Sequence, residues 1–217
     1  MEIYSKIKSN YKEGGVTQLL ERSINKASYL VFHTNNAYWF RMDLKEKIKN
    51  MQVRDGFHVH FNRTGETIQY IKDFGYFYPM EINIGLPEGH LFTSLKHNDK
   101  IIGYNKTGYG NVYIQDFKNA FKFPDNIAFA YDTFIDPKYR NQNLGAFLLN
   151  SVCENLKGLG YKSVWAHIPP WNIASISMHQ KLGFKRQQLI SYFWVAGVSW
   201  LTKNPVELIQ QVENAFC

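Results

Sequence analysis

A mixed α/β fold is predicted for this 217-residue chain, with a strand–helix–strand–helix–strand core in its C-terminal half. Three observations predict it. The apolar run Ile127–Ile135 stops at Asp136-Pro137, and a basic, amide-rich loop then opens into Leu144, Leu148, Val152 and Leu156 at i+4 steps. Gly160 precedes a β-rich run over residues 161–167. Asn172 and Gly183, a good N-cap and a good C′ residue, bracket a second helix over residues 172–182. Beyond it, residues 185–195 supply two closing strands.

The elements further upstream follow from periodicity and turn residues. Residues 14–26 carry Val16, Leu19, Leu20 and Ile24 at helical spacing. Residues 28–33 and 37–42 are β-rich and flank Thr34-Asn35-Asn36, which predicts a hairpin. Residues 57–61 read as a strand and 64–74 as a helix. Residues 90–96 and 101–106 form a second hairpin across His97-Asn98-Asp99-Lys100, and residues 111–116 extend its sheet. Residues 1–55 are then a helix-plus-hairpin extension packed on the core, and residues 56–217 are the core with a C-terminal tail.

Composition narrows the function classes. An apolar content of 45% is ample for a packed core, and no apolar run approaches the ~20 residues of a membrane helix. The N-terminus lacks the apolar region of a secretory signal, and Cys153 and Cys217 cannot make a disulfide framework, so the cytoplasm is the simplest home. A net charge of +7 favours anionic partners. Nucleic acid is one such partner, and a nucleotide-type cofactor with several phosphates suits the charge equally well. The basic residues are scattered and form no dense block, which argues against nucleic acid. His58, His60, His97 and His167 show no metal-ligand spacing, so no metal site is expected.

Two stretches carry chemistry. Bare backbone N–H groups at a helix start, beside Arg140, form a ready anion site, and Asn143 is a residue type that tolerates the positive φ such a turn needs. On the second helix, Asn172, Ser175 and His179 lie at i, i+3 and i+7, next to an Ala174, Met178 and Leu182 stripe read as core-facing. Three polar groups at the edge of a core suit a lined cleft.

The loop Arg140-Asn141-Gln142-Asn143-Leu144-Gly145 resembles the Arg/Gln-x-x-Gly-x-Gly/Ala pyrophosphate arm of the GNAT acyltransferase superfamily, with Asn143 in place of the first glycine. Trp171-Asn172-Ile173-Ala174-Ser175-Ile176-Ser177-Met178-His179-Gln180-Lys181-Leu182-Gly183-Phe184 is similar to the second GNAT signature, Asn-x-x-Ser-x-x-Leu-Tyr-x-Lys-Leu-Gly-Phe. The resemblance covers roughly residues 85–196. It implies a GNAT-like mixed, mostly antiparallel central sheet flanked by helices, with residues 1–55 as an N-terminal α/β extension.

The resemblance also implies acetyl-CoA, or another acyl-CoA, as co-substrate. Backbone groups near Phe134 and Ile135 would then pair with the pantetheine arm. Arg140, Asn141, Gln142, Asn143, Leu144, Gly145 and Ala146 would surround the pyrophosphate, and Asn172 and Ser175 would face the cofactor. His179 stands where many relatives carry a tyrosine that protonates the departing thiolate. An imidazolium of ordinary pKa, about 6.5, could donate that proton. Asp132 lies near the place of the relatives' acceptor base, with Glu81 a weaker candidate. Read from the residues alone, His179 could equally be a half-buried helix histidine and Asp132 a carboxylate paired with a basic side chain.

The implied activity is N-acyltransfer to the primary amine of a small molecule by direct attack on the thioester. An amino sugar is suggested by the aromatics Tyr29, Phe32, Tyr38, Trp39, Phe40, Phe57, Phe61, Tyr76, Phe77 and Tyr78. The alternative is a non-catalytic acyl-CoA-binding module of the same fold. A homodimer is open, because residues 1–55 could dock on the core or on a second subunit.

Overall fold

Successive side chains on the central strands enter two different apolar clusters, so the strands build a sheet covered on both faces. The computed structural model describes residues 32–46, 48, 51, 55–62 and 90–216. The strands are β1 (Phe32–Asp43), β2 (Phe57–Asn62), β3 (Leu91–His97), β4 (Lys100–Gly108), β5 (Asn111–Ile114), β6 (Asn119–Lys122), β7 (Ile127–Ile135), β8 (Ser163–Ile168), β9 (Lys185–Val195) and β10 (Val198–Leu201). The helices among the described residues are α1 (Leu144–Gly158), α2 (Ile173–Leu182) and α3 (Pro205–Ala215). Eight strands form one sheet in the order β10-β9-β1-β8-β7-β4-β3-β2, and β5 and β6 form a separate ribbon. The pair β7–β8 is parallel and the other pairs of the large sheet are antiparallel.

On one face, Ala128 and Ala130 of β7 and Ala166 of β8 are buried against Leu149, Val152 and Leu156 of α1. Small strand residues let that helix approach closely, and Cys153, fully buried in it, has its thiol pKa pushed up by burial. On the other face, Trp39, Phe129 and Trp165 pack with Phe117 and Phe121 of the ribbon and Leu208 and Ile209 of α3.

The strands Ile127–Ile135, residues 90–96 and 101–106, and both central helices lie where the sequence puts them. Three expectations fail. No hairpin forms at Thr34-Asn35-Asn36: β1 runs straight through these residues, pairing with β9 and then with β8. The amide that resembled a turn signal is satisfied otherwise, because Asn35 Nδ2 donates to the Asp116 carbonyl at 2.7 Å. Part of the expected extension is thus a central strand of the sheet.

Residues 111–114 pair with β6 instead of extending the large sheet. Gly110, at φ +66°, turns the chain away directly after β4. Lys185–Val195 is one strand, not two; the hairpin comes later, where Ala196 and Gly197 both take positive φ before β10. The expected helices over residues 14–26 and 64–74, together with Glu81, Tyr29, Tyr76, Phe77 and Tyr78, lie outside the described residues.

The C-terminal tail is helix α3, started by Asn204, whose side chain accepts from Val206 N, with Pro205 in the first turn. Glu213 ties it to the sheet. Its Oε1 accepts from Arg41 Nε at 2.8 Å, Ser163 Oγ at 2.6 Å and Trp165 Nε1 at 2.9 Å, and Oε2 accepts from Arg41 Nη2 at 3.0 Å. Burial alone would raise the Glu213 pKa, but the bonds from Arg41, Ser163 and Trp165 outweigh it and hold the carboxyl below its ordinary value. Glu213→Ala leaves Arg41, 5% exposed, with Asp43 at 3.3 Å as its remaining ion-pair partner. The expected loss is about 3 kcal/mol, the usual cost of breaking a buried pair, read as a lower urea midpoint at unchanged slope.

Candidate active site

Two neighbouring parallel strands that stop pairing leave an open backbone edge between them. β7 and β8 pair from Ile127↔Ser163 to Ala130↔Ala166 and no further. β7 continues to Ile135, held by β4 alone, while β8 ends at Ile168 before Pro169-Pro170, which cannot continue a ladder. The result is a cleft whose vertex is the Ala130–Ala166 pair and whose one wall is Tyr131 to Ile135.

A bulge lies at the vertex. Lys106 faces Asp132 and Thr107 faces Ala130, so Tyr131 has no opposite residue on β4. Beyond it, Gly103 lets β4 approach β7 closely. A Cβ on Gly103 would stand 2.7 Å from the Phe134 carbonyl oxygen and 2.6 Å from Ile135 Cδ1. Gly103→Ala should therefore push the cleft wall outward and destabilise the fold by about 1–3 kcal/mol, measured by urea unfolding. A neutral result would show that β4 can shift freely.

At the open end of β7 the chain forms the loop that the sequence singles out. Asp136 Oδ1 accepts from Lys138 N at 2.9 Å and caps a single 3₁₀ turn, Pro137–Tyr139. Arg140 Nε donates to the Ile135 carbonyl at 3.1 Å, and its guanidinium lies 5.8 Å from the Phe134 ring centroid. Asn141 and Asn143 both adopt positive φ, +63° and +59°, on either side of Gln142. The conformation expected of Asn143 is thus present without glycine.

Asn143 is the N-cap residue of α1 but makes no side-chain cap bond; its carbonyl accepts from Phe147 N at 3.0 Å. The first-turn N–H groups of Leu144, Gly145 and Ala146 consequently have no intrahelical acceptor. Asn141, Gln142 and Asn143 are exposed, Leu144 is buried beneath them, and Gly145 and Ala146 are half-buried. Gly145 seats α1 on α2, since a Cβ there would lie 3.1 Å from Met178 Sδ.

Helix α2 brings Asn172, Ser175 and His179 together differently from the expectation. Asn172 Oδ1 accepts from Ser175 N at 3.1 Å and is spent on the cap. His179 is 4% exposed, with its ring 4.9 Å from Phe184 and 6.2 Å from Phe40. Ala174, expected to face the core, is exposed. The ring can replace it there because Nδ1–H is satisfied by the Ser175 carbonyl at 2.8 Å.

Burial pushes the His179 pKa down to about 4, with the bond to Ser175 opposing. The premise of an imidazolium donor at ordinary pKa therefore fails: at neutral pH this ring is uncharged. The unfolded chain takes up the proton below about pH 6.5, whereas the folded chain refuses it until about pH 4. Stability present above pH 6.5 is thus lost on acidification toward pH 4, by roughly 3 kcal/mol for this group. His179→Phe should flatten the stability–pH curve across that window by about this amount in urea titrations; an unchanged slope would refute it.

Asp132 does stand on the cleft strand, as one member of a buried network. Its Oδ2 accepts from Tyr104 Oη at 3.1 Å and lies 3.1 Å from Nζ of the fully buried Lys106. The paired-carboxylate reading is thereby realised, while the carboxylate keeps 27% exposure. Sequence reasoning missed two further pairs at the vertex. Tyr131 Oη lies 3.2 Å from His90 Nδ1, and His167, next after Ala166, donates Nε2–H to Asp116 Oδ2 at 2.9 Å. That bond holds the Asp116 carboxyl below its ordinary pKa despite burial. Only Gly103 and Gly108, two glycines within one strand, could have signalled this site.

A profile of the acetyltransferase (GNAT) family matches residues 54–184. The chain belongs to the GNAT family. Over 54 residues it is 32% identical to the [ribosomal protein bS18]-alanine N-acetyltransferase of Escherichia coli K12, a match covering 25% of this chain and 36% of that protein. Among solved structures, a GCN5-related N-acetyltransferase from Sphaerobacter thermophilus aligns at TM-score 0.56 and 11% identity, over 85% of this chain and 59% of that one. Another from Kribbella flavida aligns at TM-score 0.55 and 10% identity, over 86% and 65%. These two likenesses show the GNAT fold. Among the described residues no group of His, Cys, Asp and Glu could hold a metal, and no helix is long and apolar enough to cross a membrane.

Proposed function

We propose that this GNAT chain transfers an acyl group, most simply acetyl, from CoA to a primary amine by direct attack on the thioester. One observation carries the reading. The β7–β8 cleft runs into a loop whose two left-handed asparagines and unsatisfied helix N–H groups converge at its open end. An extended pantetheine amide chain could pair along Tyr131–Ile135 as a strand would, and a pyrophosphate suits the loop, because alternating backbone conformations turn successive N–H groups inward. Arg140 and Lys138 add positive charge at the same end, and both are exposed.

In this reading Phe134, Ile135, Arg140–Ala146 and the start of α2 at Asn172 and Ser175 hold the cofactor. Asp132 is one candidate base. His179 packs α2 and holds its first turn, leaving protonation of the thiolate to solvent. The acceptor class rests on less. The partial likeness to an enzyme named for a ribosomal-protein alanine adds a peptide N-terminal amine to the amino sugars worth screening. The neutral, buried His179, where relatives carry a tyrosine, favours the second reading, an acyl-CoA-binding module without turnover.

Calorimetry with acetyl-CoA tests the cofactor site. Micromolar binding is expected, weakened by Arg140→Ala about fivefold and unchanged or tightened by Asn143→Gly, which relieves the left-handed asparagine and opens the loop. Absence of binding by acetyl-CoA and by longer acyl-CoAs would defeat the acyltransferase reading. Binding without CoA release, across amino sugars and peptide amines, would select the non-catalytic module.

A further inference from the structure

We propose that Tyr131 is a catalytic residue for the acceptor amine, and that His90 positions it and receives the proton that it relays. The inference rests on the acyl-transfer reading. Its geometry begins with the bulge: Tyr131 is the first residue of β7 beyond the last β8 pair, and it is the extra residue between the Thr107↔Ala130 and Lys106↔Asp132 pairs. An acyl-thioester lying along the open edge would bring its reacting carbon to this vertex.

The hydrogen-bond directions follow from the partners. His90 Nε2 lies 3.3 Å from the Asn111 carbonyl oxygen, which can only accept, so Nε2 carries the hydrogen. Burial pushes the His90 pKa below its ordinary value, with the bond to Asn111 opposing, so the ring is neutral near pH 7. Nδ1 is then a lone pair, and the Tyr131 hydroxyl donates to it at 3.2 Å. A hydroxyl bonded to an imidazole that a carbonyl orients makes an activated proton acceptor.

The ring is held in place. It is 6% exposed and lies so close to β4 that a Cβ on Gly108 would come within 2.7 Å of its Cε1. Across the vertex stands the His167–Asp116 pair, with the His167 ring stacked on Phe129 at 5.5 Å. Asp132, in contrast, has its Oδ2 engaged by Lys106 and Tyr104.

The step balances without a further reactant. The amine nitrogen attacks the thioester carbonyl carbon, the C–N bond forms and the C–S bond breaks, and the sulfur departs with the electron pair. The proton lost by nitrogen goes to the Tyr131 oxygen as the Tyr131 proton passes to His90 Nδ1. The thiolate is protonated by solvent, and the imidazolium returns its proton there.

The test measures CoA release from acetyl-CoA with the best amine in a panel of amino sugars and peptides, alongside acetyl-CoA affinity by calorimetry. Tyr131→Phe and His90→Gln should each lower kcat about a hundredfold while the acetyl-CoA Kd stays within about twofold. His90→Gln guards against a folding artefact, because its amide can still donate to Asn111 and accept from Tyr131. A Tyr131→Phe kcat within about threefold of wild type would overturn the proposal. So would a hundredfold loss in Asp132→Asn with Tyr131→Phe unaffected, which would make Asp132 the base. Failure of the wild-type protein to bind acetyl-CoA would instead defeat the reading on which the proposal rests.

Discussion

The end of pairing between β7 and β8 after Ala130↔Ala166 is the constraint on which the rest of the structure depends. Two parallel strands inside a sheet ordinarily stay paired, because an unpaired buried N–H or C=O costs as much as a lost hydrogen bond. Here β7 can leave its neighbour because the other edge stays bonded to β4 as far as Gly103↔Ile135. Gly103 permits the approach, the bulge at Tyr131 absorbs the change of register, and Pro169-Pro170 prevents β8 from following. A split sheet maintained from one side leaves main-chain groups for a ligand instead of a strand.

The two faces of the sheet take different parts at that split. The face under α1 and α2 is apolar at the vertex, with alanines beneath leucine and valine, and it carries the loop in which Asn141 and Asn143 take left-handed conformations. Near the vertex the opposite cluster supplies titratable groups: Tyr131 and His167 both touch its aromatic residues. In the proposed reading, a cofactor entering beside α1 and an acceptor approaching from the ribbon side would meet just beyond the Ala130–Ala166 pair, where β7 and β8 part.

Much of this was legible locally. The strand Ile127–Ile135, the loop from Arg140 to Gly145 and helix α2 announce themselves through apolar periodicity, an Asp-Pro stop and cap residues, and these signals act over a few residues. The failures share a cause. Thr34-Asn35-Asn36 has the composition of a turn, yet Asn35 finds its partner 81 residues away and the strand continues. Of the Ala174, Met178 and Leu182 stripe, Met178 and Leu182 do pack in the core, but Ala174 is exposed. His179 is buried in addition, because Phe40 and Phe184 flank its ring and the Ser175 carbonyl satisfies Nδ1.

By itself the sequence determined that this chain is a mixed α/β protein and where its two central helices begin. It also determined which loop has the asparagines that can take left-handed turns. Those features depend on backbone preference and periodicity, which each short segment carries alone. Tertiary structure decided the rest: the vertex of the cleft, the Tyr131–His90 bond across 41 residues, the Arg41–Glu213 tie across 172, and the neutral state of His179. Each depends on groups from separate strands meeting in a medium from which water is excluded, and no local pattern specifies such a meeting.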